Sequence, residues 1–199
     1  MSARNLATQL LVEFPNVVTD PVEFRGEITL RLIEPERIAD VCRFARETLS
    51  FEFLLDITSI DNLGEEPRWT VVYELYSIRH NCHLRLKVSL SGDQPEIPTL
   101  AHVWPAANWH EREVYDMMGI RFRGHPDLRR ILMWEGYPYH PLRKDFPLCG
   151  KPSEVPDVAF TEAAPLEGGP FVTKPGGKTT IEREPRSRGD ENWQSENGR

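Results

Sequence analysis

The stretch PERIADVCRFARETLSFEFLLDITSIDNLGEEPRWTVVYELYSIRHNCHLRLKVSL, residues 35–90, decides the fold. Pro35 stands where the first turn of a helix needs no amide donor, and Ile38, Val41, Cys42, Ala45 and Leu49 follow at the spacing of one helical stripe. Cys42 falls on that stripe, so it reads as a small core residue rather than a reactive thiol. Three strands follow, around Phe51–Ile60, Trp69–Ile78 and His83–Ser91, parted by the loop DNLGEEP and a tight connection near Asn81. In the last of them Leu84, Leu86, Val88 and Leu90 alternate with Arg85, Lys87 and Ser89, which requires one buried sheet face and one wet face.

Upstream, Leu6, Ala7, Leu10, Leu11 and Phe14 lie at helical spacing until Pro15 removes the next amide. Short apolar stretches at Val17–Val18 and Val22–Phe24 precede the alternating Ile28, Leu30 and Leu32, a pattern for two strands or a bent hairpin. Downstream, Pro105 is expected to begin a helix that Gly119 ends in a left-handed cap. The sum is an α+β fold: a two-layer sandwich of a mixed sheet with helices on one face, over residues 1–118.

Beyond Gly119 the periodicity stops, and Pro and Gly recur in GHP, EGYP, YHPL, DFPL, GKP, EGGP and KPGG. So long a stretch without its own pattern is foreign to a compact domain. Phe122, Leu128, Ile131, Leu132, Trp134, Tyr137, Tyr139 and Phe146 are nevertheless too many large apolar groups for a solvated linker. The expectation is an extended C-terminal arm lying on a partner, with residues 151–199 a Pro- and Gly-rich tail.

Composition excludes several functions. With 39% hydrophobic residues and no apolar run of about 18, the chain has no segment to span a bilayer as a helix. The N-terminus lacks secretory signal architecture, and the expected compartment is the cytoplasm. Cys42, Cys82 and Cys149 are three in number, far apart and without a C-x-x-C, which argues against a disulfide framework or a local cluster site. A net charge of −7 opposes general nucleic-acid binding.

The junction between the patterned and unpatterned halves reads WHEREVYDMMGIRFRGHPDLRRILMWEGYPYHPLRKDFPL. It carries Glu111, Arg112 and Glu113, then Asp116, the apolar Met117 and Met118, His125, a base at Arg129 and the apolar pair Ile131 and Leu132, with Arg130 between. This pattern closely resembles the signature of the C-type subunits of proton-pumping NADH:quinone oxidoreductase, respiratory complex I. The string His140, Pro141, Leu142, Arg143, Lys144, Asp145, Phe146 resembles a second block of the same family. The resemblance implies a cofactor-free subunit of the enzyme's peripheral arm, where electrons pass from NADH through FMN and iron–sulfur clusters to quinone. It implies docking on the D-type subunit that helps form the quinone site, with the B- and I-type subunits adjacent, at the cytoplasmic face of a bacterial inner membrane. Related ferredoxin- or hydrogenase-type membrane complexes carry equivalent subunits and form the alternative. The signature and second-block residues are then interface or structural positions, with no catalytic, cofactor or metal residue in this chain.

Sharper chemistry has its own candidates. Glu111, Glu113 and Asp116 invite an acid/base reading, but Arg112 and Asp116 lie one turn apart on one helix face and can pair, with Glu111 and Glu113 on different sides. Such a helix fastens the base of the arm. His80, Cys82 and His83 come nearest to a metal site, yet in extended chain His83 faces away from the other two. His125 and His140 each precede proline, which biases them to an extended backbone and suits a turn or an arm, and between the His140-Pro141 and Phe146-Pro147 steps Arg143 and Lys144 are expected on extended chain, facing opposite sides. Arg121, Arg123, Arg129, Arg130, Arg143 and Lys144 among Phe122, Trp134, Tyr137, Tyr139 and Phe146 offer an alternative of another class, a single-stranded nucleic-acid groove, although Asp127, Glu135 and Asp145 interrupt it.

Overall fold

The computed structural model describes residues 1–134 and 136–147. The chain divides after Glu135 into two units, each taken by itself below. Helix α1 (Ala3–Glu13) opens on Ser2, whose hydroxyl accepts from the Asn5 amide, and presents Leu6, Ala7 and Leu10 to the core. The hairpin of β1 (Val22–Phe24) and β2 (Glu27–Leu32) turns on Arg25 and Gly26, both at positive φ, as a two-residue connection that follows strand twist requires. Val18 makes an isolated bridge to Leu32 rather than starting a strand.

A single 3-10 turn at Pro35–Arg37 leads into α2 (Ile38–Glu47), which buries Ile38, Val41, Cys42 and Ala45 as its periodicity demands. Burial, and then the charge of Glu111, push the Cys42 thiol far above its ordinary range, so it is core and not a nucleophile. Strands β3 (Phe53–Asp61), β4 (Trp69–Ser77) and β5 (Cys82–Leu90) complete a five-stranded sheet of order β1-β2-β5-β4-β3. The β2–β5 pair is parallel and the others antiparallel, so the sheet is mixed.

Register fixes which side chains share a face. Leu30, Leu86, Tyr73 and Ile57 stand in one row across the sheet, with Leu84 and Leu75 on one side of it and Val88 and Val71 on the other. All are buried beneath the helices, whereas the opposite face carries exposed Arg31 and an Arg85 bound to both Glu74 and Glu27. One apolar face under helices and one charged face is the α+β sandwich that the alternation of β5 demands. The β3–β4 hairpin is closed by Arg68, whose guanidinium donates to both Asp61 oxygens at 2.7 and 2.8 Å and stacks over Trp69.

The later elements differ from the sequence pattern. Helix α3 spans Ala107–Met118, two residues after Pro105, because Leu100–Trp104 first makes a turn of its own. Gly119 ends α3 at φ 78°, the left-handed conformation that a Cβ disfavours. The ordered core does not stop at Met118. Strand β7 (Arg121–Arg123) pairs in parallel with β6 (Glu96–Pro98), and Ile120 and Phe122 enter the core beside Ile97. Each strand has three residues, too few for alternation to register.

Candidate functional site

Helix α3 is the support on which the signature residues act, and they act inward. Glu111 and Asp116 have no exposed side-chain surface, Arg112 is buried, and Glu113 faces solvent. The Arg112 guanidinium donates from Nε to the carbonyl of Arg129 and from Nη2 to that of Arg130, both at 3.1 Å, and lies over the Trp109 ring. Asp116 Oδ2 accepts the amides of Ile131, Leu132 and Met133 at 3.0, 2.7 and 2.8 Å, while Oδ1 takes the Arg130 guanidinium. Arg130 returns to the Asp116 carbonyl as well. The pairing of Arg112 with Asp116 that helix spacing allows is not the one the fold uses. Each has a better buried partner in the returning chain, two carbonyls for the fork of Arg112 and three amides for the carboxylate.

The result is a latch that holds residues 129–133 on the last turns of α3. Burial pushes the Asp116 carboxyl up, but the Met133, Leu132 and Ile131 amides and Arg130 outweigh it and hold the group below the usual range. Arg129 contributes its carbonyl, since its side chain is solvent-facing and paired with Asp127 at 2.9 Å. Ile131 and Leu132 contribute amides, and the Leu132 side chain is left 62% exposed.

One turn earlier, Glu111 reaches the other way. Oε2 accepts the Thr99 hydroxyl at 2.5 Å and Oε1 the Leu100 amide at 2.6 Å, joining α3 to the turn that follows β6. Burial pushes its carboxyl up to about 7 against the pull of those two donors. His125 lies beside it, Nε2 at 3.9 Å from Glu111 Oε2 and 3.1 Å from the Asn108 carbonyl, with Nδ1 accepting the Asp127 amide at 3.0 Å. An imidazole that accepts on one nitrogen and donates on the other is neutral, and burial lowers its pKa accordingly. Thr99 and Leu100 were invisible as partners of Glu111, because nothing in a sequence marks which distant hydroxyl and amide will meet a buried acid.

The second block, taken by itself, folds as two consecutive turns. Arg143 N–H donates to the His140 carbonyl and Phe146 N–H to the Arg143 carbonyl. The extended path expected from the His140-Pro141 and Phe146-Pro147 steps is thus replaced by turns, which the positions between two prolines readily adopt. Tyr139 packs on Phe146 and Tyr137, and a shallow cleft of about 240 Å³ is lined by Pro138, Tyr139, His140, Arg143, Asp145 and Phe146. Arg143 is half-buried there; Lys144 and Asp145 are exposed, as is Leu142 at 56%.

Other candidates dissolve. His80 meets the N-terminal ammonium, His83 packs on Tyr76, and Cys82 is half-buried. Among the described residues no three His, Cys, Asp or Glu side chains stand where they could hold a metal, and no helix is long and apolar enough to cross a membrane. Four of the six cations of the basic, aromatic segment are matched from within: Arg121 pairs with Glu96, Arg123 with Glu36, Arg129 with Asp127 and Arg130 with Asp116. Cations already matched by carboxylates do not form a phosphate track.

The most elaborate polar cluster described in this α+β module ties its own chain together. The family described as respiratory-chain NADH dehydrogenase, 30 Kd subunit, matches residues 32–152, and the chain belongs to that family. It is 47% identical over 156 residues to the C subunit of NADH-quinone oxidoreductase from Geobacter sulfurreducens, covering 77% of this chain and 96% of that one. It is 54% identical over 143 residues to the C 2 subunit of NADH-quinone oxidoreductase from Rhizobium etli, covering 71% and 75%. Among solved structures it resembles the trypsin-resistant fragment of Nqo5, with a TM-score of 0.55 and 30% identity over 64% of this chain and all of the fragment. A chain of the membrane-bound sulfane sulfur reductase, an archaeal respiratory membrane complex, matches with a TM-score of 0.64 and 26% identity, over 74% and 87%.

Proposed function

We propose that this chain is a non-catalytic assembly subunit of an NADH:quinone oxidoreductase, held at the membrane by its companions. In that enzyme FMN and iron–sulfur clusters carry electrons from NADH to quinone, and this chain supplies none of them. The residues the family resemblance singles out support a mechanical role: Arg112 and Asp116 grip five consecutive residues, 129–133, and hold them on α3. The D-type subunit is the proposed seat of that segment, with the B- and I-type subunits adjacent, on the cytoplasmic face of a bacterial inner membrane. A half-buried Arg143 beside aromatic Tyr139 and Phe146 has the composition of a docking centre.

Limited trypsin digestion tests the arrangement. Arg129 and Arg130 have their carbonyls bound by Arg112 and cannot take the extended form a protease requires, so they should survive. Cleavage of the lone chain should fall at Arg143 or Lys144, and addition of the D-type subunit should protect both. Early cutting at Arg129 or Arg130, or no protection on addition of the D-type subunit, would contradict the proposal.

A further inference from the structure

Two carboxylates on α3, Glu111 and Asp116, are equally buried and oppositely served. Asp116 has a guanidinium and three amides. Among the described residues the Glu111 carboxylate has one hydroxyl, one amide and, at 3.9 Å, an imidazole. That imidazole is fixed in its neutral form, since the Asp127 amide occupies Nδ1 and the Asn108 carbonyl takes the Nε2 hydrogen. A charge sealed from water with two neutral donors is poorly compensated, and the group's remedy is to hold its proton. Two similar acids driven apart by their surroundings acquire different protonation states at one pH.

Glu111 is surrounded by further groups that a charge there would disturb. Tyr73 enters from β4 fully buried, its hydroxyl lacking a hydrogen-bond partner among the described residues, and Cys42 comes from α2. Both feel a Glu111 charge as a repulsion against their own ionisation. His125, which faces Glu111 from the segment after β7, is itself influenced by Arg112, Asp127 and His102. Burial keeps Tyr73, Cys42 and His125 neutral beside Glu111, and the cluster joins α2, β4, α3 and the Thr99–Trp104 turn.

We infer that Glu111 is a buried proton-binding site, which holds its proton in the folded chain where an exposed carboxyl has lost it, on the side of α3 that faces the Thr99–Leu100 turn. The sign follows from linkage. The folded carboxyl titrates near 7 and the unfolded one near 4.5, so the folded chain binds the extra proton between those values. Stability from this site is full below about 4.5, falls as pH rises, and is gone above about 7. The unfolding constant should rise on the order of a hundred-fold across that window. His125 works in the opposite sense, because its lowered pKa makes stability rise with pH until its unfolded value near 6.5 is passed.

The inference does not depend on which companion the chain docks against. The full-length chain carrying ¹³C-labelled glutamate carboxyls is titrated by NMR from about pH 4 to about pH 8. One carboxyl should titrate near 7 and vanish in Glu111→Gln. Thr99→Val, which deletes a donor to the carboxylate, should move that midpoint upward even if the Gln variant fails to fold. In a His125→Asn background, free of the opposing imidazole, unfolding should show the hundred-fold rise. All glutamates titrating in the ordinary range, or a midpoint near 7 indifferent to Thr99→Val, would overturn the proposal.

Discussion

Replacing Asp116 by Asn changes one oxygen to an amide and should cost far more than an isosteric exchange usually does. Oδ2 collects the amides of residues 131–133 and Oδ1 faces the Arg130 guanidinium, whose side chain is only 13% exposed. Whichever way the Asn side chain is set, its NH₂ meets donors: three backbone amides in one rotamer, the guanidinium in the other. Either choice also removes the carboxylate charge that faces the Arg130 guanidinium. Removing one member of a buried ion pair costs about 3 to 5 kcal/mol, and each lost bond to a charged acceptor about 1.5 to 3 kcal/mol before relaxation, so about 3 to 5 kcal/mol is the expected loss. Urea unfolding of the two full-length proteins measures it. Hydrogen exchange should show the amides of Ile131, Leu132 and Met133 losing protection while the β4–β5 ladder keeps it. The carboxyl lies below its ordinary value in the fold, so its stabilisation is present above the unfolded value near 3.8 and lost as pH falls through the lower folded one. The Asn variant should lack that acid limb. A loss under about 1 kcal/mol with unchanged exchange at residues 131–133 would refute the latch.

Other substitutions probe separate parts. Arg112→Lys keeps the charge but cannot fork to the Arg129 and Arg130 carbonyls or stack on Trp109, and urea unfolding should show a loss of about 1 to 3 kcal/mol. Tyr73→Phe removes a buried hydroxyl that has no partner among the described residues, so stability should be unchanged or rise by about 1 kcal/mol; a loss of that size would reveal a hidden bond. Arg143→Ala should weaken association with the D-type subunit by about 2 to 5 kcal/mol in a binding titration, against less than about 1 kcal/mol for exposed Lys144→Ala. The reverse ranking would mean that the arm presents its other side.

The fold was legible where periodicity was long. The stripe Ile38, Val41, Cys42, Ala45 and the alternation Leu84 to Leu90 both reappear as buried faces, because each pattern runs through several repeats. Strands β6 and β7 were not legible, since three residues carry too little period and their pairing joins positions 25 apart, Glu96 with Arg121. The signature positions could be marked, but their partners could not. Helix spacing shows that Arg112 and Asp116 are able to meet, and it is silent about a chain that returns at residues 129–133 with carbonyls for one and amides for the other. Proline likewise suggested an extended path for 140–146, where local hydrogen bonds made turns.

Isolation of the native protein from gently solubilised membranes tests most directly whether this chain is a non-catalytic assembly part of a membrane-bound NADH:quinone oxidoreductase. Mass spectrometry should find the D-type subunit and flavin- and cluster-bearing companions in stoichiometric amounts, with NADH:quinone activity in the purified assembly. Recovery of the chain alone, or with companions that have neither quinone reductase activity nor redox centres, would contradict it.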